Sequence, residues 1–298
     1  MIVAHTDTVW PHGTLAERPF RVEAGLAWGP GTYDTKAGLV QAIFALRALA
    51  FCGLRPTLSP VLLFNGDEEV GSPSTTHQVA DCARASARAF ILEPSLGPSG
   101  HLKTARKGVG HFQIQIRGRS AHAGLDPEAG ASATQELAHQ ILALQSLSDP
   151  AKGIHVNVAP VWGGSRRNVI ADEAGAQIDV RVRTTSDGED ITQKILSLTA
   201  HISGCEVESS GQMVKAPMVP TPESLALWGH AKRVADELGW PIEHSAAGGG
   251  SDGNTTALYC PTLDGLGAVG DGAHADHEHV RIDEMPKRAA LLAALLLA

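Results

Sequence analysis

The stretch that decides the fold is Ile2-Val3-Ala4-His5-Thr6-Asp7. Three apolar residues form a short buried strand, and a metal-ligating residue type stands directly at its end. Two later stretches repeat the arrangement. Val61-Leu62-Leu63-Phe64 is a continuous apolar run followed closely by Glu68 and Glu69, and Ala89-Phe90-Ile91-Leu92 runs straight into Glu93. Helical stretches separate them. Lys36–Phe51 has helical length, an apolar face expected at Leu39, Ile43 and Leu46, and a closing Gly53; a second helix is expected around 74–85. Fully apolar strands alternating with helices predict a parallel sheet covered by helices.

In an open parallel sheet, ligands bind beyond the carboxyl ends of the strands. These strands therefore bring one imidazole and several carboxylates to one rim. Asp34, in Gly29-Pro30-Gly31-Thr32-Tyr33-Asp34-Thr35-Lys36-Ala37-Gly38, lies just before the first long helix. Taken singly, each piece has an ordinary reading: an HxD is usually a surface pair, and two glutamates after a strand are usually solvated. Their conjunction at matched topological positions is what carries weight. Converging carboxylates repel strongly unless cations offset them. Mixed His and carboxylate ligation suits zinc. His274-Ala275-Asp276-His277-Glu278-His279 offers another imidazole from a loop ahead of the last helix.

The pattern changes near Lys107. His111–Arg117 (HFQIQIR) alternates polar and apolar, as a half-buried strand does. A long amphipathic helix over 129–147 follows, then alternating strands over 154–161 and 176–183, a helix over 190–202 and a short strand at 206–208. The order βαββαβ is ferredoxin-like. The domain expectation is thus a catalytic domain in two parts, 1–106 and 216–298, with a lid or dimerisation domain at 107–215. Its alternating strands leave a sheet edge that a second copy would cover.

Composition bounds the partners. The chain has 298 residues, 43% of them apolar, enough to bury a core. A net charge of −8 without any Lys/Arg run argues against nucleic acid and anionic membrane surfaces. No apolar run approaches the roughly 18 residues of a membrane span. Cys52, Cys82, Cys205 and Cys260 form no CxxC, so reduced thiols are expected and a zinc finger is not.

Five ordered motifs now carry a resemblance. His5-Thr6-Asp7-Thr8, Gly31–Gly38, Asp67-Glu68-Glu69-Val70-Gly71-Ser72, Glu93-Pro94 and Ala273-His274 are similar to the successive signatures of the dinuclear zinc aminoacylase/carboxypeptidase family. That family includes glutamate carboxypeptidase, acetylornithine deacetylase and succinyl-diaminopimelate desuccinylase. The wording of the second and third motifs most resembles the glutamate carboxypeptidase branch. The resemblance implies a zinc-peptidase catalytic domain, its largely parallel sheet between helices, with an inserted ferredoxin-like lid. It implies two Zn2+ ions, with Co2+ or Mn2+ as substitutes. Asp34 would bridge them, His5 and Glu93 completing one site, Glu69 and His274 the other.

Further roles follow from the same resemblance. Glu68 would be the general base, taking a proton from the attacking water and returning it to the leaving amine. Asp7, two residues beyond His5 on an extended chain, would orient the His5 imidazole. His122, in Arg119–Gly124, matches the lid histidine that stabilises an oxyanion, often in the partner subunit's site. Asn168 and Arg181 match lid positions that grip substrate, the arginine through a carboxylate. Arg181 and Asp179 share a strand face opposite Ile178 and Val180. The glycine loop Gly248-Gly249-Gly250-Ser251-Asp252 matches a substrate-side loop, where Gly249, Gly250 and Ser251 would approach the ligand. It lacks the GK[ST] of a phosphate loop, so nucleotide binding is not expected.

The expected activity is hydrolysis of an amide or peptide bond in a small carboxylate-bearing substrate, a peptide or an N-acyl amino acid, releasing a C-terminal glutamate or similar residue. The alternatives are an N-acyl-amino-acid deacylase and a truncated, non-catalytic metal-binding or dimerisation remnant. The clusters DxH, GDxxD and GNH of a dinuclear phosphoesterase are missing. The family ordinarily carries roughly a hundred residues ahead of the HxD strand, so a missing N-terminal part is expected, with an unpaired edge and exposed apolar surface beside the first strand. The location is cytoplasmic by default, any secretory signal being lost with that part.

Overall fold

The computed structural model describes residues 1–297. Contacts divide the chain into two compact units, Met1–Arg106 with Met218–Ala298, and Lys107–Pro217.

The first unit is built on a parallel sheet. Among the described residues it has four strands, ordered Thr262–Leu263, Ala89–Ile91, Ile2–His5, Leu62–Asn65. Ile2–His5 is central, with His5 opposite Asn65 and Val3 opposite Ile91. Alternation along these strands buries both faces. Ile2, Ala4, Phe90 and Leu92 pack into the large core with the helices Ala37–Phe51, Pro222–Glu237 and Met285–Leu297, while Val3, Ala89 and Ile91 pack on the other side with Ala83 of the helix Thr76–Arg84. Each such large side chain contributes about 1.5–3 kcal/mol by leaving water.

A small antiparallel sheet decides where the last loop goes. His279–Arg281 pairs with Gly270–Asp271 on one side and Leu26–Trp28 on the other, with His279 opposite Trp28. The loop preceding His279 is thereby laid against the turn that follows Trp28. These short strands lie in polar, Gly-rich sequence and carry no hydrophobic period.

The second unit is an antiparallel sheet of four strands among the described residues, in the order Glu206–Lys215, Gly108–Arg117, Glu173–Val182, His155–Gly163. With the helices Ala133–Gln145 and Thr185–Leu196 the chain order is βαββαβ. Phe112, Ile114 and Ile116 point into the helix-covered core with Ile178, Val180, Leu137 and Ile191, while His111, Gln115 and Arg117 face outward.

Several expectations need correcting. The Ala37–Phe51 helix buries Gln41, Ala42, Ala45 and Leu49, with Leu39 and Leu46 partly buried against the same core as expected, but Ile43, the third expected face residue, is 48% exposed. The fourth lid strand runs Glu206–Lys215 rather than stopping at Glu208, and the preceding helix starts at Thr185, capped by Thr184. The first strand has neighbours on both sides; the outermost strand on that flank is Leu62–Asn65, where Leu62 and Phe64 are exposed.

Close packing at the end of the Ala89 strand yields a test. A Cβ on Gly38 would lie 2.5 Å from the Leu92 carbonyl oxygen and 3.0 Å from the Leu92 Cβ. Alanine ordinarily favours a helix over glycine by ~1 kcal/mol. Here overpacking reverses the sign, so Gly38→Ala is expected to lower stability by about 1–3 kcal/mol in denaturant unfolding. An unchanged or raised midpoint would show that Leu92 yields at no cost.

Candidate active site

Strand ends and turns of the first unit converge on His5. The imidazole is buried, 2% exposed. Its Nε2 lies 3.1 Å from Asp34 Oδ1 and 3.4 Å from Glu93 Oε1. The other oxygen of Asp34 faces a second imidazole: His274 Nε2 is 3.3 Å from Asp34 Oδ2 and 3.1 Å from Glu69 Oε2. One carboxylate thus spans two imidazoles, each with its own additional glutamate. Ligand atoms of His5, Asp34 and Glu69 lie within 4.8 Å of one another, as do those of His5, Glu68 and Glu93. Glu68 and Glu69 share the 3-10 turn Glu68–Val70 after the Leu62 strand. His274 has φ 61, a left-handed conformation uncommon outside glycine.

The electrostatics are those of a site short of positive charge. Burial alone would depress the His5 imidazole, but hydrogen bonding to Asp34 and Glu93 outweighs it and raises the pKa to about 12. The contact with Asp34 raises His274 to about 9 against partial burial, with Glu69 adding to the rise. Burial pushes the Glu69 carboxyl up to about 7, and the Asp34 charge adds to the shift. Asp34 itself is largely shielded from water, which alone would raise its pKa, yet its bonds to His274 and His5 hold it well below the usual carboxylate range.

The residues fit divalent cations. Glu69 Oε1 is buried and has no hydrogen-bond partner among the described residues. An orphaned carboxylate oxygen is costly in a dry site, and here it lies among groups whose other atoms already face imidazoles. The donor set, two imidazoles with aspartate and glutamate oxygens, is of the borderline kind that zinc accepts.

Supporting groups hold the donors in place. His5 Nδ1 lies 3.3 Å from Asp7 Oδ1 and 3.2 Å from the Asp7 carbonyl oxygen. The other Asp7 oxygen accepts from Glu69 N at 3.0 Å, so this side chain ties two donor residues together. Thr35 Oγ1 donates to the His5 carbonyl at 2.9 Å.

Arg106 escaped the sequence reading. It donates to Asp264 through Nε at 2.6 Å and Nη2 at 3.0 Å, to Glu93 Oε2 through Nη2 at 3.3 Å, and to the carbonyls of Gly249 and Gly250 through Nη1 at 3.0 and 3.2 Å. All five donors of the guanidinium are engaged. Its residue type inside an alternating stretch gave no sign of burial.

Ser251 is fully buried, its hydroxyl donates to Asp264 at 2.8 Å and accepts from Gly253 N at 2.9 Å, and it caps the helix Asp252–Thr256. Its side chain thus serves as a helix cap in this structure. Gly249 is exposed and Gly250 half-buried, with their carbonyls turned to Arg106.

In the second unit, His122 is exposed, and its Nδ1 accepts from Gly124 N and Leu125 N, both at 3.1 Å. A neutral imidazole with Nδ1 so occupied carries its proton on Nε2, pointing a donor outward. Asn168 is exposed, and its carbonyl accepts from Ala123 N at 3.0 Å. Arg181 is paired within its own strand: Nε and Nη2 reach the two Asp179 oxygens at 2.8 and 2.9 Å.

The chain resembles known proteins over its whole length. A family model described as peptidase family M20/M25/M40 matches residues 1–298. Carboxypeptidase G2 of a Pseudomonas species is 30% identical, the match covering 100% of this chain and 73% of that protein. A succinyl-diaminopimelate desuccinylase of Polaromonas naphthalenivorans is 28% identical over 94% of this chain and 72% of its own length. A dinuclear metal-binding M20 peptidase from Bacillus subtilis shares the fold with a TM-score of 0.69 at 16% identity, over 99% of this chain and 80% of its own. With its strand-end histidine, aspartate and glutamates gathered around two imidazoles, the chain belongs to peptidase family M20/M25/M40 and is a hydrolase of the peptidase and amidohydrolase type.

Proposed function

We propose that the protein is a dinuclear zinc hydrolase releasing a C-terminal glutamate or similar amino acid from a small carboxylate-bearing substrate. One observation carries the metal half of this reading: Asp34 presents one oxygen to His5 beside Glu93 and the other to His274 beside Glu69. The residues holding one cation are then His5, Asp34 and Glu93, and those holding the other are Asp34, Glu69 and His274. When bound there, two divalent ions polarise a scissile carbonyl and make water a nucleophile near neutral pH.

The chain's own groups supply the rest. Glu68, beside His5 and Glu93, takes the proton of the attacking water and returns it to the leaving nitrogen. Asp7 keeps the His5 ring in orientation. His122 donates from Nε2 to the developing oxyanion, a role its Nδ1 bonds prepare. Arg181, with Asn168, receives the substrate's carboxylate; its guanidinium exchanges Asp179 for that carboxylate, an equal bidentate partner. The 30% identity to a carboxypeptidase supports release of a C-terminal residue, and the desuccinylase relatives favour N-deacylation as the second reading. A panel on zinc-loaded protein separates them: peptidyl- and folyl-glutamates against acetyl- and succinyl-amino acids. Turnover of only the second group overturns the carboxypeptidase reading, and metal uptake without turnover of either makes the protein a non-catalytic binder.

We further propose pairing of two copies through the lid, whose outermost strand His155–Gly163 exposes Val161 and Trp162. A monomeric mass by light scattering at micromolar concentration would contradict it.

Proton release tests the site directly. In the metal-free protein both imidazoles are protonated at pH 7.5, since their pKa values are raised to about 12 and about 9. A cation needs both neutral, so loading is expected to release protons, and affinity should rise with pH. Calorimetry in buffers of different ionisation enthalpy counts these protons; none released would show that the imidazoles are not ligands.

For the base, Glu68→Gln should keep metal binding while kcat falls about 10²–10⁴-fold. Near-normal kcat would assign the proton transfer elsewhere.

A further inference from the structure

Glu278 is 2% exposed and lies four residues after His274, at the end of the loop that contains His277 and just before the strand His279–Arg281. Its carboxylate accepts four hydrogen bonds, three of them from backbone amides of the turn that carries Asp34. Oε2 accepts from Gly31 N at 2.8 Å and Trp10 Nε1 at 3.1 Å; Oε1 accepts from Tyr33 N at 3.0 Å and Asp34 N at 3.1 Å. Three successive-turn amides of the segment that presents Asp34 are thus gathered on one anion. Nothing in local sequence supplies this: the turn runs through Gly31 at φ 72 and has non-helical geometry at Asp34 and Thr35, so its amides have no regular ladder to join.

The loop on the other side is tied as tightly. Ala275 N donates to the Gly272 carbonyl at 2.9 Å, Glu278 N to the Ala275 carbonyl at 3.1 Å, and Gly29 N to the Glu278 carbonyl at 3.3 Å. Main chain and side chain of Glu278 therefore clamp the turn over 29–34 to the loop over 272–278. Those two segments carry Asp34 and His274, whose side chains meet at 3.3 Å.

We infer that Glu278 is a positioning residue, fixing the Asp34 carboxylate against the His274 imidazole so that both are preset for the same cation. The inference rests on the metal-site reading above and adds a residue to it. Charge-assisted bonds to backbone amides are stronger than neutral ones, and groups that orient metal donors typically change metal affinity 10–100-fold when altered. Shape alone does not suffice. In Glu278→Gln the amide nitrogen faces two N–H donors and cannot accept from them, so one side of the clamp is lost.

The test measures metal affinity by competition against a chromophoric zinc chelator, with circular dichroism as the check on folding. Glu278→Gln is expected to fold and to lose 10–100-fold in affinity for the weaker-bound zinc ion, and its Co2+-loaded form should show an altered visible absorption spectrum. A purely structural role would lower the melting temperature and leave both readouts alone. Wild-type affinity and spectrum in a folded variant overturn the inference while leaving the metal site standing. A wild-type protein that takes up no divalent ion overturns the site reading, and this inference with it. Should the variant fail to fold, hydrogen exchange on metal-free wild type decides: protected amides at Gly31, Tyr33 and Asp34 support the clamp, and exchange at open-loop rates overturns it.

Discussion

Like-charge repulsion among carboxylates is the constraint around which the first unit is organised. Asp34, Glu68, Glu69 and Glu93 crowd one rim with Asp7 behind them. Without compensation such a cluster would force some of these groups to bind protons, as Glu69, pushed up to about 7, already does in part. Two positive charges at fixed places resolve it. Imidazolium rings supply them in the metal-free chain, and divalent ions would supply them in a loaded one. The same geometry would serve both states because the Nε2 atoms of His5 and His274 face the oxygens a cation would share. The parallel sheet is what makes this crowding attainable, since strands of one direction all end on one side.

Holding these groups apart from each other, yet together, falls to residues with no chemistry of their own. Arg106 spends its full set of donors on Asp264, Glu93 and two glycine-loop carbonyls, leaving Glu93 Oε1 as the oxygen that faces His5. A lysine there would keep the charge and lose the fork. Asp252 similarly accepts from Asn65 Nδ2 and Ser72 Oγ, both at 2.6 Å, fastening the end of the strand that leads to Glu68. Buried charges of this kind are weak sources of stability, because desolvation consumes most of their attraction. Their value lies in specificity of placement.

This division explains how much could be read from the sequence. His5, Glu69 and Glu93 were legible because each follows an apolar run, and hydrophobic runs mark strand ends. The HFQIQIR alternation announced a half-buried strand for the same reason. The face of the Ala37–Phe51 helix was only partly legible because its buried side is made of Gln41, Ala42 and Ala45, whose small or polar side chains give little hydrophobic signal, while Ile43 and Phe44 stay exposed. Three glycines and a serine look like a ligand loop, and nothing local shows that the Ser251 hydroxyl bonds to Asp264, thirteen positions away. Glu278 and Arg106 were invisible for a shared reason. A charged residue in a polar segment reads as solvated unless its tertiary donors or acceptors are known, and those come from distant segments.

The second unit shows the same logic with the opposite outcome. Its fold is set by period-two hydrophobicity and two helices, and the core formed by Phe112, Ile114, Ile116, Ile178 and Val180 needs no polar group to define it. The roles proposed for it fall on exposed side chains, whose resting geometry depends on short-range bonds. Two amides within three residues of His122 occupy its Nδ1, which leaves Nε2 as the nitrogen available to the proposed donor role. Arg181 is instead held by Asp179 two residues away, with both side chains about one-third exposed, where an ion pair is worth little against water. A weak exposed pair is a suitable resting arrangement for the carboxylate-binding role proposed for Arg181. It holds the planar fork by both Nε and Nη2, costs little to open, and in the proposed role would give way to an incoming carboxylate without changing the number of charge-assisted bonds.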